Sequence, residues 1–152
     1  MKEVERIARE LRLAFDGDTW TGRSIGSIVR GFPAGAAARR PVNGGNSAWQ
    51  LLRHIGCWIE VARIRFEGTA HSPRAEDDMP VVTETSDEAW AAAWAEVEKR
   101  YRALATAIER APDSRLEEIV PGKPYTHYHL LHGVIQHSLY HAGQMALLAR
   151  GA

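Results

Sequence analysis

The stretch GVIQHSLYHAGQMALLARG, Gly133 to Gly151, decides how the rest of the chain is read. Its apolar residues recur at helical spacing, and they form two rows instead of one. Leu130, Val134 and Leu148 share a face with His137 and His141. On the opposite side run Leu131, Ile135, Leu139, Ala142 and Ala146. A helix that is apolar all round is buried on both sides. In a four-helix bundle one side of each helix normally faces water. The second row is therefore predicted to lie against another protomer, unless the long connection from Gly17 to Asn46 covers it.

Working back from this helix, three more amphipathic segments are legible and no strand is. The first runs from about Lys2 to Phe15, with Ile7, Leu11 and Phe15 at helical spacing, and DGD at 16–18 ends it. A Gly-rich connection follows to Asn46, with a short helix expected near Ser24 to Arg30. SAWQ at 47–50 reads as a capping box, opening a helix that runs to about Phe66 and stops at Gly68. After the polar stretch TAHSPRAEDDMPVV, TSDE at 85–88 reads as a second capping box with acids in its first turn. That helix runs to about Ala111 before Pro112. PGKPYT turns the chain into the last helix, about Thr126 to Arg150. Four such helices in 152 residues make an all-α fold, a four-helix bundle in a single domain over residues 1–152.

The histidines carry the chemistry. His137 and His141 are four apart, about 40° around the axis and one turn along it, a spacing at which two imidazoles reach one metal ion. A third imidazole, His54, sits in the apolar stripe of the second helix, among Leu51, Ile55, Trp58, Val61 and Ala62. A buried imidazole without a partner loses a hydrogen bond, and a charged one loses far more. A divalent cation relieves both costs, because neutral imidazole is its ligand. Three histidines on Zn²⁺ or Ni²⁺ leave a coordination position open for water or substrate. The other reading is three core histidines paired with groups such as Gln144 or Gln50.

LLRHIGCWIE followed downstream by HGVIQHSLYHAGQMALL resembles the DinB family, also called DinB/YfiT-like. DGDTWTGRSI at 16–25 and NSAWQLLRHI at 46–55 are similar to one branch of it. The resemblance covers nearly the whole chain. It implies an up-down-down-up bundle, commonly a homodimer, with a divalent metal held by His54, His137 and His141. Related families with this bundle include thiol-dependent S-transferases and maleylpyruvate isomerases. One departure stands out: where that branch often carries histidine after the Trp of TWTG, this chain has Thr21.

Other residues attach to the site by position. Gln144 lies within about 20° of His137 on the helical wheel and is placed to hydrogen-bond a metal ligand. Trp58 shares the His54 face and is expected to wall the pocket. Arg65 falls on the same face near the helix end; it either binds an anionic group of a substrate or reaches solvent and a surface ion pair. Tyr140 points away and reads as helix packing, as do Trp90 and Trp94. His127, His129 and His132 read as surface or capping residues, and His71 as solvated. Cys57 reads as a small apolar filler.

Composition excludes several classes. Lys plus Arg equals Asp plus Glu at 19 each, so there is no basic field for nucleic acid. The single cysteine rules out a disulfide framework and suits the cytoplasm. The opening MKEVERIARELRLAF is charged and amphipathic, unlike a secretory signal, and no apolar run is long enough to span a membrane. Two functions remain. One is a metal-dependent enzyme acting on a small molecule, by thiol transfer, isomerisation or hydrolysis. The other is a non-catalytic, stress-related bundle that binds a metal or small molecule. No carboxylate lies on the histidine faces, which argues against a peptidase-like mechanism with a glutamate base.

Overall fold

The computed structural model describes residues 1–42 and 44–151; Asn43 in the connection and Ala152 lie outside them. Four long helices form the frame: α1 (Glu3–Asp16), α4 (Ala48–Phe66), α6 (Asp87–Arg110) and α7 (His127–Arg150). Three short ones sit in the connections: α2 (Ile25–Arg30), α3 (Ala34–Ala38) and α5 (Ala75–Asp78). A 3₁₀ turn, Asp113–Glu117, links α6 to the last connection. Among the described residues there is no strand, and no helix is long and apolar enough to cross a membrane.

Named contacts give the helix directions. Trp49 and Trp90, near the starts of α4 and α6, lie 5.0 Å apart between ring centroids. Beyond the other end of α6, Arg115 donates from Nη2 to the Phe66 carbonyl at the end of α4, at 2.6 Å. The two helices therefore run the same way. Phe66 also meets His127 at the start of α7, with centroids 5.3 Å apart, so α7 runs back against α4. α1 runs opposite to α6: its end packs Phe15 on Tyr101, and its first amides reach Asp113. α4 packs on both α6 and α7, and α1 packs on the same two.

The local signals explain the boundaries. Ser47 and Gln50 form the expected capping box, with Gln50 Oε1 accepting from Ser47 N–H at 3.1 Å and Ser47 Oγ accepting from Gln50 N–H at 3.2 Å. The box expected at 85–88 is shifted. Ser86 is the cap, accepting from Ala89 N–H, while the Ser86 amide is held by Glu84 upstream of the helix instead of by an acid within it. α1 borrows its cap: the carboxylate of Asp113 accepts from the amides of Glu3 and Val4. α4 and α6 approach closely because residue 56 is glycine, where a Cβ would stand 2.8 Å from Val97 Cγ2.

The core is one cluster drawn from all four long helices, with Phe15, Leu52, Ile55, Ile59, Leu104 and Leu131 fully buried. Each such side chain contributes about 1.5–3 kcal/mol of transfer free energy on burial. The second apolar row of α7 belongs to this core. Leu131, Ile135 and Ala142 are buried, and Leu139 and Ala146 pack against the cluster. The covering comes from within the chain, since α2 and α1 both pack on α7. The Gly17–Asn46 connection thus occupies the place a second protomer was expected to take, and this row gives no argument for one.

Three other expectations are corrected. His127 is neither surface nor cap: it is 1% exposed, wedged against Phe66, and neither ring nitrogen has a hydrogen-bond partner. His132 is half-buried against Tyr128, with Nε2 also unpartnered. Tyr140 does not pack between helices; it is 66% exposed.

Candidate metal centre

His54 projects from the middle of α4, and His137 and His141 from successive turns of α7. Because α4 and α7 pack together, the three rings meet: centroids lie 4.9 Å apart for His54–His137, 4.7 Å for His54–His141 and 4.6 Å for His137–His141. One ring nitrogen from each lies within 4.8 Å of the others. The shortest approach is Nε2 to Nε2 between His54 and His137, at 3.0 Å.

Hydrogen bonds on the outer nitrogens fix the tautomers. His54 Nδ1 lies 2.7 Å from the Asp78 backbone carbonyl, which only accepts, so Nδ1 carries the proton. His141 Nδ1 likewise donates to Gln144 Oε1 at 2.6 Å. Both rings are left with a lone pair on Nε2, which is the usual arrangement of metal-ligating histidine. His137 Nδ1 is buried without a partner. Burial, and then the neighbouring imidazoles, push the His137 pKa down to about 4. Burial lowers that of His141 too, against the bond from Gln144. His137 and His141 are thereby held toward the neutral form, as ligands must be. The donor set therefore fits a divalent cation of borderline softness, and three imidazoles crowded at these distances are compatible with a divalent metal site.

A carboxylate that the sequence did not flag joins the group. Asp78 ends α5, in the stretch AEDDMP, and reaches back over α4. Its Oδ1 accepts from Trp58 Nε1 at 2.6 Å and lies 3.1 Å from His54 Nδ1. The expectation of no carboxylate concerned only the histidine faces of the long helices, and Asp78 comes from the connection instead. Nothing in the local pattern separates Asp78 from Glu76 and Asp77, since its position depends on how the 68–86 segment folds over α4.

Beside the rings lies a cavity of about 370 Å³, with His54, His137 and Asp78 at one end and Arg65, Tyr125 and His129 at the other. Trp58 walls it, with its ring centroid 5.9 Å from that of His137. Gln144 meets His141, as its wheel position suggested. Arg65 does not follow the second of its two alternatives: it is 4% exposed, so it reaches no surface ion pair. It donates from Nε to the His71 carbonyl at 2.8 Å and from Nη1 to Tyr125 Oη at 3.1 Å. His71 is therefore half-buried instead of solvated. Thr21 lines neither this cavity nor the larger one; it is exposed and bonded to Thr19. The larger cavity, about 780 Å³, lies between α4, α6 and the 71–84 segment and does not touch the three histidines. Cys57 lines it, with its thiol pKa raised chiefly by burial.

A family model described as the DinB superfamily matches residues 19–145. Neither a curated protein nor a solved structure matches the chain.

Proposed function

Because the chain belongs to the DinB superfamily, we propose that it is a single-domain, metal-dependent enzyme acting on a small molecule, with His54, His137 and His141 holding Zn²⁺ or Ni²⁺. The observation that carries this is the convergence of three imidazoles whose outer nitrogens are either bonded or buried, at the end of a cavity large enough for a substrate. A divalent cation there supplies Lewis acidity, polarising a substrate oxygen or lowering the pKa of a thiol or water.

The protein's own residues do the rest. The Asp78 carbonyl and carboxylate hold the His54 ring in one tautomer and orientation, and Gln144 does the same for His141. Trp58 closes one wall and, by its bond to Asp78, ties that wall to the ligand set. Leu130, Val134, Val61 and Ala62 give the body of the cavity an apolar lining. Such a site suits thiol transfer or isomerisation, and hydrolysis equally. The working state we propose is a cytoplasmic homodimer, formed through surfaces other than the second row of α7.

Elemental analysis of protein purified without added metal is the test, on wild type and His137→Ala. Wild type is expected to carry or take up about one divalent ion per chain, and the variant markedly less. A wild type that takes up neither Zn²⁺ nor Ni²⁺ ends the reading. With metal retained, a panel of thiols against electrophilic substrates separates an enzyme from a non-catalytic metal-binding bundle.

A further inference from the structure

Arg65 is a charged group in the cavity whose chemistry the histidine site does not use. It is 4% exposed, and both of its hydrogen-bond partners, the His71 carbonyl and the Tyr125 hydroxyl, are neutral. No carboxylate lies within ion-pairing distance of it among the described residues, and its Nη2 makes no hydrogen bond. The guanidinium carbon stands 5.7 Å from the centroid of Trp58. A buried charge left without a counter-charge is costly, and a guanidinium is the side chain best shaped to take a planar anion on two parallel N–H groups. Tyr125 adds a donor. Its oxygen already accepts from Arg65 Nη1, so its own proton is free to point at a ligand.

The cavity also has polarity from end to end. Asp78 stands at the histidine end and Arg65 at the other, with Trp58 between them, flanking the guanidinium on one side and His137 on the other. Without a bound cation, an anionic group is repelled from the Asp78 end and attracted to the Arg65 end. The walls between are apolar: Val61, Ala62, Leu130 and Val134. One guanidinium and one phenol match a singly charged, planar anion better than a phosphate dianion.

We propose that Arg65 and Tyr125 form a carboxylate receptor, so that the substrate class is a small organic acid with an apolar body, bound with its carboxylate on Arg65 and its opposite end at His54 and His137. This rests on the reading of the cavity as the substrate pocket of the histidine centre, and it can be tested apart from the metal.

The experiment is calorimetric titration of EDTA-stripped protein with phenylacetate, with phenylacetamide as the neutral isostere, and with inorganic phosphate. Phenylacetate is expected to bind saturably and the amide at least about tenfold more weakly, the worth of a charge-assisted hydrogen bond. Arg65→Met is expected to lose phenylacetate binding by about tenfold or more, and Tyr125→Phe by a few-fold. If Arg65→Met does not fold, Arg65→Lys, which keeps the charge but not the planar fork, is expected to weaken binding without abolishing it. No saturable phenylacetate binding, equal binding of acid and amide, or phenylacetate binding unchanged in the folded Arg65 variant would overturn the proposal. Phosphate binding tighter than phenylacetate would overturn the carboxylate assignment. Because the titration is metal-free, its failure leaves the metal-uptake experiment untouched, and the reverse also holds.

Discussion

The backbone carbonyl of Asp78 accepts a hydrogen bond from Nδ1 of His54 at 2.7 Å, while the Asp78 carboxylate stands 3.1 Å from the same nitrogen. A residue from a short helix outside the bundle thus sets the ring orientation of a residue at its centre. Asp78→Ala keeps the carbonyl and removes the carboxylate, freeing the Trp58 indole as well. Metal affinity, measured by competition with a chromophoric chelator, is expected to fall about tenfold or more. An unchanged affinity would leave the carboxylate with no part in holding the ligand.

Binding at this centre should be inseparable from folding. The ligands come from α4 and α7, and His54 and His137 are 83 residues apart in sequence, so an unfolded chain presents no assembled site. Free Zn²⁺ or Ni²⁺ at about a hundredfold above Kd is expected to stabilise the fold by roughly 2.7 kcal/mol. At this chain length that is an increase in Tm of roughly 5–10 °C by calorimetry. His141→Ala is expected to remove most of it. A metal-independent Tm for the wild type would contradict the assignment.

Gly56 tests the α4–α6 contact. A methyl group at this position would meet Val97 at 2.8 Å, so Gly56→Ala is expected to destabilise the protein by about 1–3 kcal/mol despite the better helix propensity of alanine. Urea unfolding of Gly56→Ala and of the double variant with Val97→Ala separates the clash from other effects. The double variant is expected to lose less than the two single changes added together.

His127 makes stability depend on pH. Burial, then the neighbouring Arg115, holds its pKa below the ordinary value, with Glu118 opposing. The unfolded chain protonates this imidazole near pH 6.5, whereas the folded chain does so only at lower pH. Between those values the unfolded state binds more protons, so stability is full above about pH 7 and declines as pH falls through 6.5. In the metal-free protein His137 and His141 act in the same direction. The urea midpoint in EDTA is expected to drop between pH 7.5 and 5.5, and by less in His127→Leu. Equal drops would show that His127 is solvated in the folded state.

These residues also mark how much could be read from the chain alone. The long helices and the Ser47–Gln50 cap were legible because their signals are local, and the histidine cluster because helical periodicity puts His137 and His141 on one face. Asp78 and the fate of Arg65 were not, because both depend on the path of the 68–86 segment, which carries no periodic pattern. The second row of α7 misled for a related reason. Its covering helix, α2, spans only six residues, too few for a pattern that announces which surface it will occupy. His127 was misplaced because a polar residue next to a cap ordinarily stays wet, and here Phe66 closes over it.

The cap that Asp113 provides for α1 has a consequence for synthesis. The amides of Glu3 and Val4 wait for a carboxylate 110 and 109 residues further along. At ordinary elongation rates that is a delay of about 5–20 seconds, during which the nascent first helix has neither this cap nor α6 to pack on. The α1 segment therefore emerges well before the elements it docks on, and it stays available to chaperones until α6 and the turn beyond it have emerged.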